Sequence, residues 1–223
     1  MRLKNYIMLT VFSISFAYVE SAVVVYLRSL AGKLMDIFPM PFLSPMISAI
    51  ELGREASTIL ILIAIGYIAE KTPVRRFYAF LYVFGLWDIL YYAWLKVFIG
   101  WPQSIFDFDL LFLIPLPWIG PVISPVLIAL IFCFTGSLVL LKEGEEFHFK
   151  LIDGMMVIFG GLILILNFLL SSIEIVAISG VKGLESFQPH SFNWEIYLVG
   201  IILLFLGLFL PVLRFYKGLK VKQ

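Results

Sequence analysis

Six stretches of about twenty apolar residues run through this chain, each long enough to cross the hydrocarbon of a bilayer. They are Ile7–Leu27, Ile47–Ala69, Phe77–Ile99, Val122–Leu141, Leu151–Glu174 and Trp194–Leu213. Composition closes off a soluble alternative. The chain is 62% hydrophobic and 14% charged, with a mean hydropathy of +1.04, whereas soluble domains run about 45–50% apolar and about 25% charged. The expectation is an all-α integral membrane protein, with residues 1–223 forming one polytopic bundle of six transmembrane helices. Arg2 and Lys4 before an apolar run, with Ser15-Phe16-Ala17 beyond, imitate a signal peptide and its cleavage site. The run continues to Leu27, however, so it is read as a retained first helix.

Charge sets the expected orientation. Arg2, Lys4, Lys71, Arg75, Arg76, Lys142, Lys150, Arg214, Lys217, Lys220 and Lys222, eleven of sixteen basic residues, fall on the side of the termini. By the positive-inside rule both termini are cytoplasmic and the membrane is the inner or plasma membrane of the cell. Of fifteen acidic residues, Glu70, Glu143, Glu145, Glu146 and Asp153 share that side and the other ten do not. The outer connections are unusual. Residues 34–46 and 101–125 are apolar, aromatic and rich in proline. Prolines 115, 117, 121 and 125 argue against regular helix, and irregular backbone at membrane depth survives only when buried in protein or lining a wet cavity. Both segments are expected to be interfacial or re-entrant, folding over the outer helix ends, with Trp101 and Trp118 at headgroup level.

Within the spans, Glu20, Glu51, Glu55 and Asp88 interrupt apolar helices. An ionised group there costs roughly 3 kcal/mol by insertion scales, so such residues read as functional. A rise of about 1.5 Å per residue places all four between the outer surface and the midplane. Glu51, Arg54 and Glu55, at i, i+3 and i+4, share one face of helix two. Asp88, Tyr92 and Lys96 form a stripe on helix three beside Tyr91. If helices one to three are neighbours, these groups meet in one outward-opening cavity. The candidate catalytic set is therefore Glu20, Glu51, Arg54, Glu55 and Asp88. Substrate contacts are expected from Tyr91, Tyr92 and Lys96, and from Asp107 and Asp109 at the cavity mouth. The competing reading is a buried ion-pair network that fixes helix register.

Other features read as structural. Glu174, Glu195 and His190 lie at outer helix ends or in a loop, while Lys142–Glu146 and Lys217–Lys222 are solvated terminal-side charge. Cys133 is a small buried hydrophobe. Asn167 suits an interhelical hydrogen bond, and Gly160, Gly161, Gly200 and Gly207 suit close helix packing. Near-neutral net charge argues against nucleic acid as a partner. Membrane lipids are the expected partners, and the glycine faces could also dock a second copy or a membrane subunit. The two histidines, His148 and His190, both lie in expected loops, which argues against bis-histidine haem ligation within one chain. No nucleotide, dinucleotide, zinc-protease, serine-hydrolase or CxxC motif is present. Carboxylates could still hold a hard divalent metal.

Three function classes follow. The first is a membrane-embedded enzyme acting on a lipid-like substrate by acid–base or metal-assisted chemistry, with Arg54 on an anionic headgroup. The second is a small proton- or cation-coupled carrier or channel. The third is a non-catalytic assembly subunit.

Overall fold

The computed structural model describes residues 2–35, 37–39, 44–142 and 149–218. Helix α1 spans Arg2–Leu30, α2 Pro45–Ala69, α3 Pro73–Ile99, α4 Ile123–Leu141, α5 Leu151–Ser179 and α6 Trp194–Lys217. All six are long and apolar enough to cross a membrane, and the protein is a multi-pass membrane protein. Large apolar side chains such as Ile7, Val11, Leu60, Ile158 and Leu198 stand exposed along them, as expected where lipid is the solvent. The terminal charge runs that continue into residues 143–148 and 219–223, including His148, lie outside the described residues.

Helix α3 organises one group, packing against α1, α2 and α4, while α5 and α6 form a separate antiparallel pair. Glycines make these approaches possible. A Cβ on Gly160 would lie 2.6 Å from the backbone nitrogen of Leu204, and one on Gly207 would meet Val157 and the Asp153 carbonyl. Gly200 likewise admits Leu164, and Gly85 and Gly136 seat α3 on α4. Gly161 behaves differently: a Cβ there meets nothing within 4 Å. The two groups are joined through α4–α6 packing and by buried phenols. Tyr78 donates to the Leu208 carbonyl and Tyr197 to the Ser124 carbonyl, each at 2.7 Å. The interhelical hydrogen bond expected of Asn167 is not made: both amide atoms are buried without a partner.

The connection between α3 and α4 contains a small antiparallel hairpin, β1 (Phe108–Leu110) and β2 (Ile119–Pro121), with Asp109 opposite Gly120. Prolines 115 and 117 occupy its turn region, where no ladder bond is demanded of them. Pro125 falls where the proline-rich segment overlaps the expected span Val122–Leu141, and the span holds. The proline lies in the first turn of α4, where a missing N–H has no intrahelical acceptor to lose. Trp101 follows the end of α3. It is buried, at 4% exposure, beneath the Arg28 guanidinium.

Candidate functional site

The α3–α4 hairpin, α1, α2 and α3 enclose one end of a cavity of about 720 Å³. Glu20 reaches it from α1, Glu51, Arg54, Glu55 and Thr58 from α2, and Asp88, Tyr91 and Tyr92 from α3. Asp109 descends into it from β1. The helices bring these groups together because α2 and α1 both lean on α3 while barely packing on each other. The space between their loop-side halves is bridged by side chains instead. The Arg54 guanidinium pairs with both Glu20 and Glu51, the second through Nε at 2.8 Å. The other Glu20 oxygen accepts from Thr58 at 2.7 Å. Glu55 turns the other way and accepts the backbone N–H of Leu113, 2.9 Å distant, tying the α3–α4 connection to α2.

A second cation enters that the spacing argument did not place in the site. Arg28, in the last turn of α1, is 6% exposed and lies 3.3 Å from Asp109, with its guanidinium 4.1 Å above the Trp101 ring. Its Nε and Nη1 have no partner, nor do one oxygen of Asp109 and one of Asp88. Burial raises the Asp109 carboxyl from its ordinary value, while the Arg28 guanidinium, the Leu110 N–H and the Tyr92 hydroxyl pull it down. In sequence Arg28 reads as a helix-end cation complementing the dipole or reaching to the headgroups. Only the hairpin, by bringing Asp109 across, gives it an inward role. With Lys33 also on the wall, five carboxylates face three cations.

Two expected contacts lie elsewhere. Lys96 is exposed and donates to the carbonyls of Gly100 and Pro102 at 3.0 and 2.7 Å, closing the end of α3. Asp107 accepts the N–H groups of Gln103 and Ser104 at 2.7 and 3.0 Å, the hydrogen bonding of a local turn. Glu174, Glu195 and His190 are exposed. Cys133 sits half-buried against the Tyr82 carbonyl. Among the described residues no three His, Cys, Asp or Glu side chains gather in a way that could hold a metal ion. Arg54 stands where a metal shared by Glu20 and Glu51 would have to sit.

The rest of the cavity is apolar. Leu111, Phe112 and Trp118 roof it, and Phe84, Phe132, Leu164, Phe168 and Leu204 wall it toward α4, α5 and α6. Trp118 stacks on Phe168 with centroids 6.3 Å apart, and Ser172 on α5 donates to the Pro117 carbonyl. The roof is thus anchored on both helix groups. No protein-family model, curated protein or solved structure matches the chain.

Proposed function

We propose that this protein is a membrane-embedded enzyme acting on a lipid-like substrate. One observation carries the reading. A cluster of carboxylates and guanidinium groups occupies one end of a cavity that is otherwise hydrocarbon, matching a polar head and an apolar body. Cavities of roughly 300–1,000 Å³ with few convergent polar groups are the usual form of small-molecule sites. Glu55 is the acid/base: it accepts one backbone N–H and is not committed to a guanidinium. Asp88 is the second proton-handling group. Arg54 is already held by two carboxylates, so the headgroup's acceptor atoms are assigned to Arg28 as well, and Tyr91 and Tyr92 supply hydroxyl donors. The basic bias of the terminal side supports an inner- or plasma-membrane location with cytoplasmic termini and a cavity facing outward.

The test is lipid mass spectrometry on membranes expressing the wild type, Glu55→Gln or Asp88→Asn at matched protein levels. The expected result is at least one lipid species whose abundance changes with the wild type and with neither variant. Indistinguishable lipid profiles for wild type and both variants would remove the enzyme reading.

A carrier reading has one observation of its own. Two hydroxyl pairs lie outside the cavity lining, Tyr6 3.2 Å from Ser137 and Thr10 2.7 Å from Tyr82, with the Tyr6 and Tyr82 rings packed together. Hydroxyls so arranged could pass protons. Reconstituted vesicles with no proton or cation flux under an imposed gradient would dismiss it.

A further inference from the structure

The glycine pair in the middle of α5 is divided in its use. Gly160 is filled by α6, with Leu204 backbone against it, whereas Gly161 faces space: a Cβ there meets nothing within 4 Å, and the residue borders the cavity. Leu164 and Ile165, one turn on along α5, line the same cavity, as do Phe132 of α4 and Leu204 of α6. These positions lie near the centres of their helices. Going from Pro125 to Phe132 on α4, or from Phe168 to Gly161 on α5, descends about 10 Å at the helical rise. The cavity therefore continues from the charged cluster across to α4, α5 and α6 as an apolar arm at about the depth of Asp88. Its lining from α4, α5 and α6 is carbon, with Asp88 of α3 on the side of the charged cluster, and an apolar void of this kind excludes water and takes up apolar ligands. Helices α4 and α5 both border the arm but do not pack on each other among the described residues, and neither do α2 and α5. Helix–helix contact does not close the cavity at those two places.

We infer that this arm is a slot for one hydrocarbon chain of an amphiphile and that Gly161 sets how much chain it accepts. The inference rests on the lipid-substrate reading and supplies its apolar half: the occupant is a single-chain or chain-extending lipid whose headgroup lies among Glu55, Asp88 and Arg28. Gly161 is a specificity residue because its missing side chain is the open volume. A Cβ there displaces no neighbour, so a larger side chain grows into the arm, and truncating Phe132 lengthens it.

The test uses the full-length protein in mild detergent and measures retention of lysophospholipids of graded chain length by native mass spectrometry. Wild type, Gly161→Leu, Gly161→Trp, Phe132→Ala and Glu55→Gln are compared. Wild type should retain longer chains progressively better. The Gly161 variants should lose that gain, by about fourfold for each methylene kept out, while short chains bind as before. Phe132→Ala should shift the preference toward longer chains, which keeps the test decisive if the Trp variant does not fold. Glu55→Gln should leave the chain-length dependence intact. Equal chain-length dependence in wild type and all the Gly161 and Phe132 variants would overturn the slot, as would wild type binding no lysophospholipid. A chain-length dependence that follows Gly161 and Phe132, in a protein whose Glu55→Gln membranes keep the wild-type lipid profile, upholds the slot and refutes the catalytic reading alone.

Discussion

Buried charge sits at both ends of this helix bundle, and the two ends use it differently. On the terminal side Asp153 is fully buried, accepts the Lys150 N–H at 2.7 Å and pairs with Arg214. On the same side Arg75, 2% exposed, pairs with Glu70 at 2.9 Å and donates to the carbonyls of Leu140 and Lys142 at the end of α4. These ions satisfy helix termini, where backbone groups otherwise lack partners, and none of them borders the large cavity. At the loop end Glu20, Glu51, Glu55, Asp88 and Asp109 surround space. Orphaned buried atoms do not separate the two clusters, since Asp153 and Arg214 have them as well as Asp88, Asp109 and Arg28. The cavity separates them. An intramembrane charge that ends on a helix terminus is architecture, and one that ends on a void is available for a ligand.

The sharpest way to break this contrast is to neutralise one carboxylate at each end. Glu55→Gln or Asp88→Asn should lower turnover of the lipid species identified in membranes by about 10²–10⁴-fold, the usual worth of a general acid or base. The melting temperature should stay close to that of the wild type. Arg214→Leu should do the reverse. It leaves Asp153 without its cation, at a cost of about 3–5 kcal/mol in detergent unfolding, with turnover per folded molecule unchanged. A Glu55 variant that unfolds and an Arg214 variant that loses only activity would invert the assignment.

Smaller effects sharpen it. Gly160→Ala must push α6 off α5 and should cost about 1–3 kcal/mol. Gly161→Ala, one residue on, should be neutral or stabilising by up to about 1 kcal/mol because helix propensity improves with nothing to displace. Thermal melts of the two variants check the division of the pair. The smallest expected effect is a pH slope. Because burial raises the Asp109 carboxyl, the folded protein holds that proton more tightly than the unfolded chain. The stability this contributes is present at low pH and is lost as pH rises from the ordinary carboxylate value through the raised one. Relative to Asp109→Asn, wild type should lose melting temperature over that interval.

The six spans are legible in the sequence because each is a long apolar run, and the expected ends differ from the helices only by a few residues that hydropathy does not mark. Glu20, Glu51, Arg54, Glu55 and Asp88 stood out because charge is costly in hydrocarbon. Their meeting in one cavity follows from the packing of α1 and α2 on α3. Spacing failed at the edges of the site. Lys96 continues the Asp88–Tyr92 stripe, yet the open carbonyls at the end of its own helix lie nearer. Asp107 and Asp109 are two apart, so on an extended segment they need not share a role: one closes a turn, the other enters the cavity. Arg28 depended on the hairpin crossing over α1, a long-range pairing with no local signature. Gly161 was grouped with Gly160 as packing, and only the rotation of α5 against α6 tells them apart.

The central claim is that loop-side carboxylates face a ligand space and Asp153 does not. Dicyclohexylcarbodiimide, an apolar reagent that modifies carboxyl groups reachable from hydrocarbon, reads this directly when modified peptides are mapped by mass spectrometry. The account predicts modification of Glu55 and Asp88, suppressed by a long-chain lysophospholipid, with Asp153 unmodified. Modification of Asp153 as fast as that of Glu55 and Asp88, or no modification of either cavity carboxylate, would contradict it.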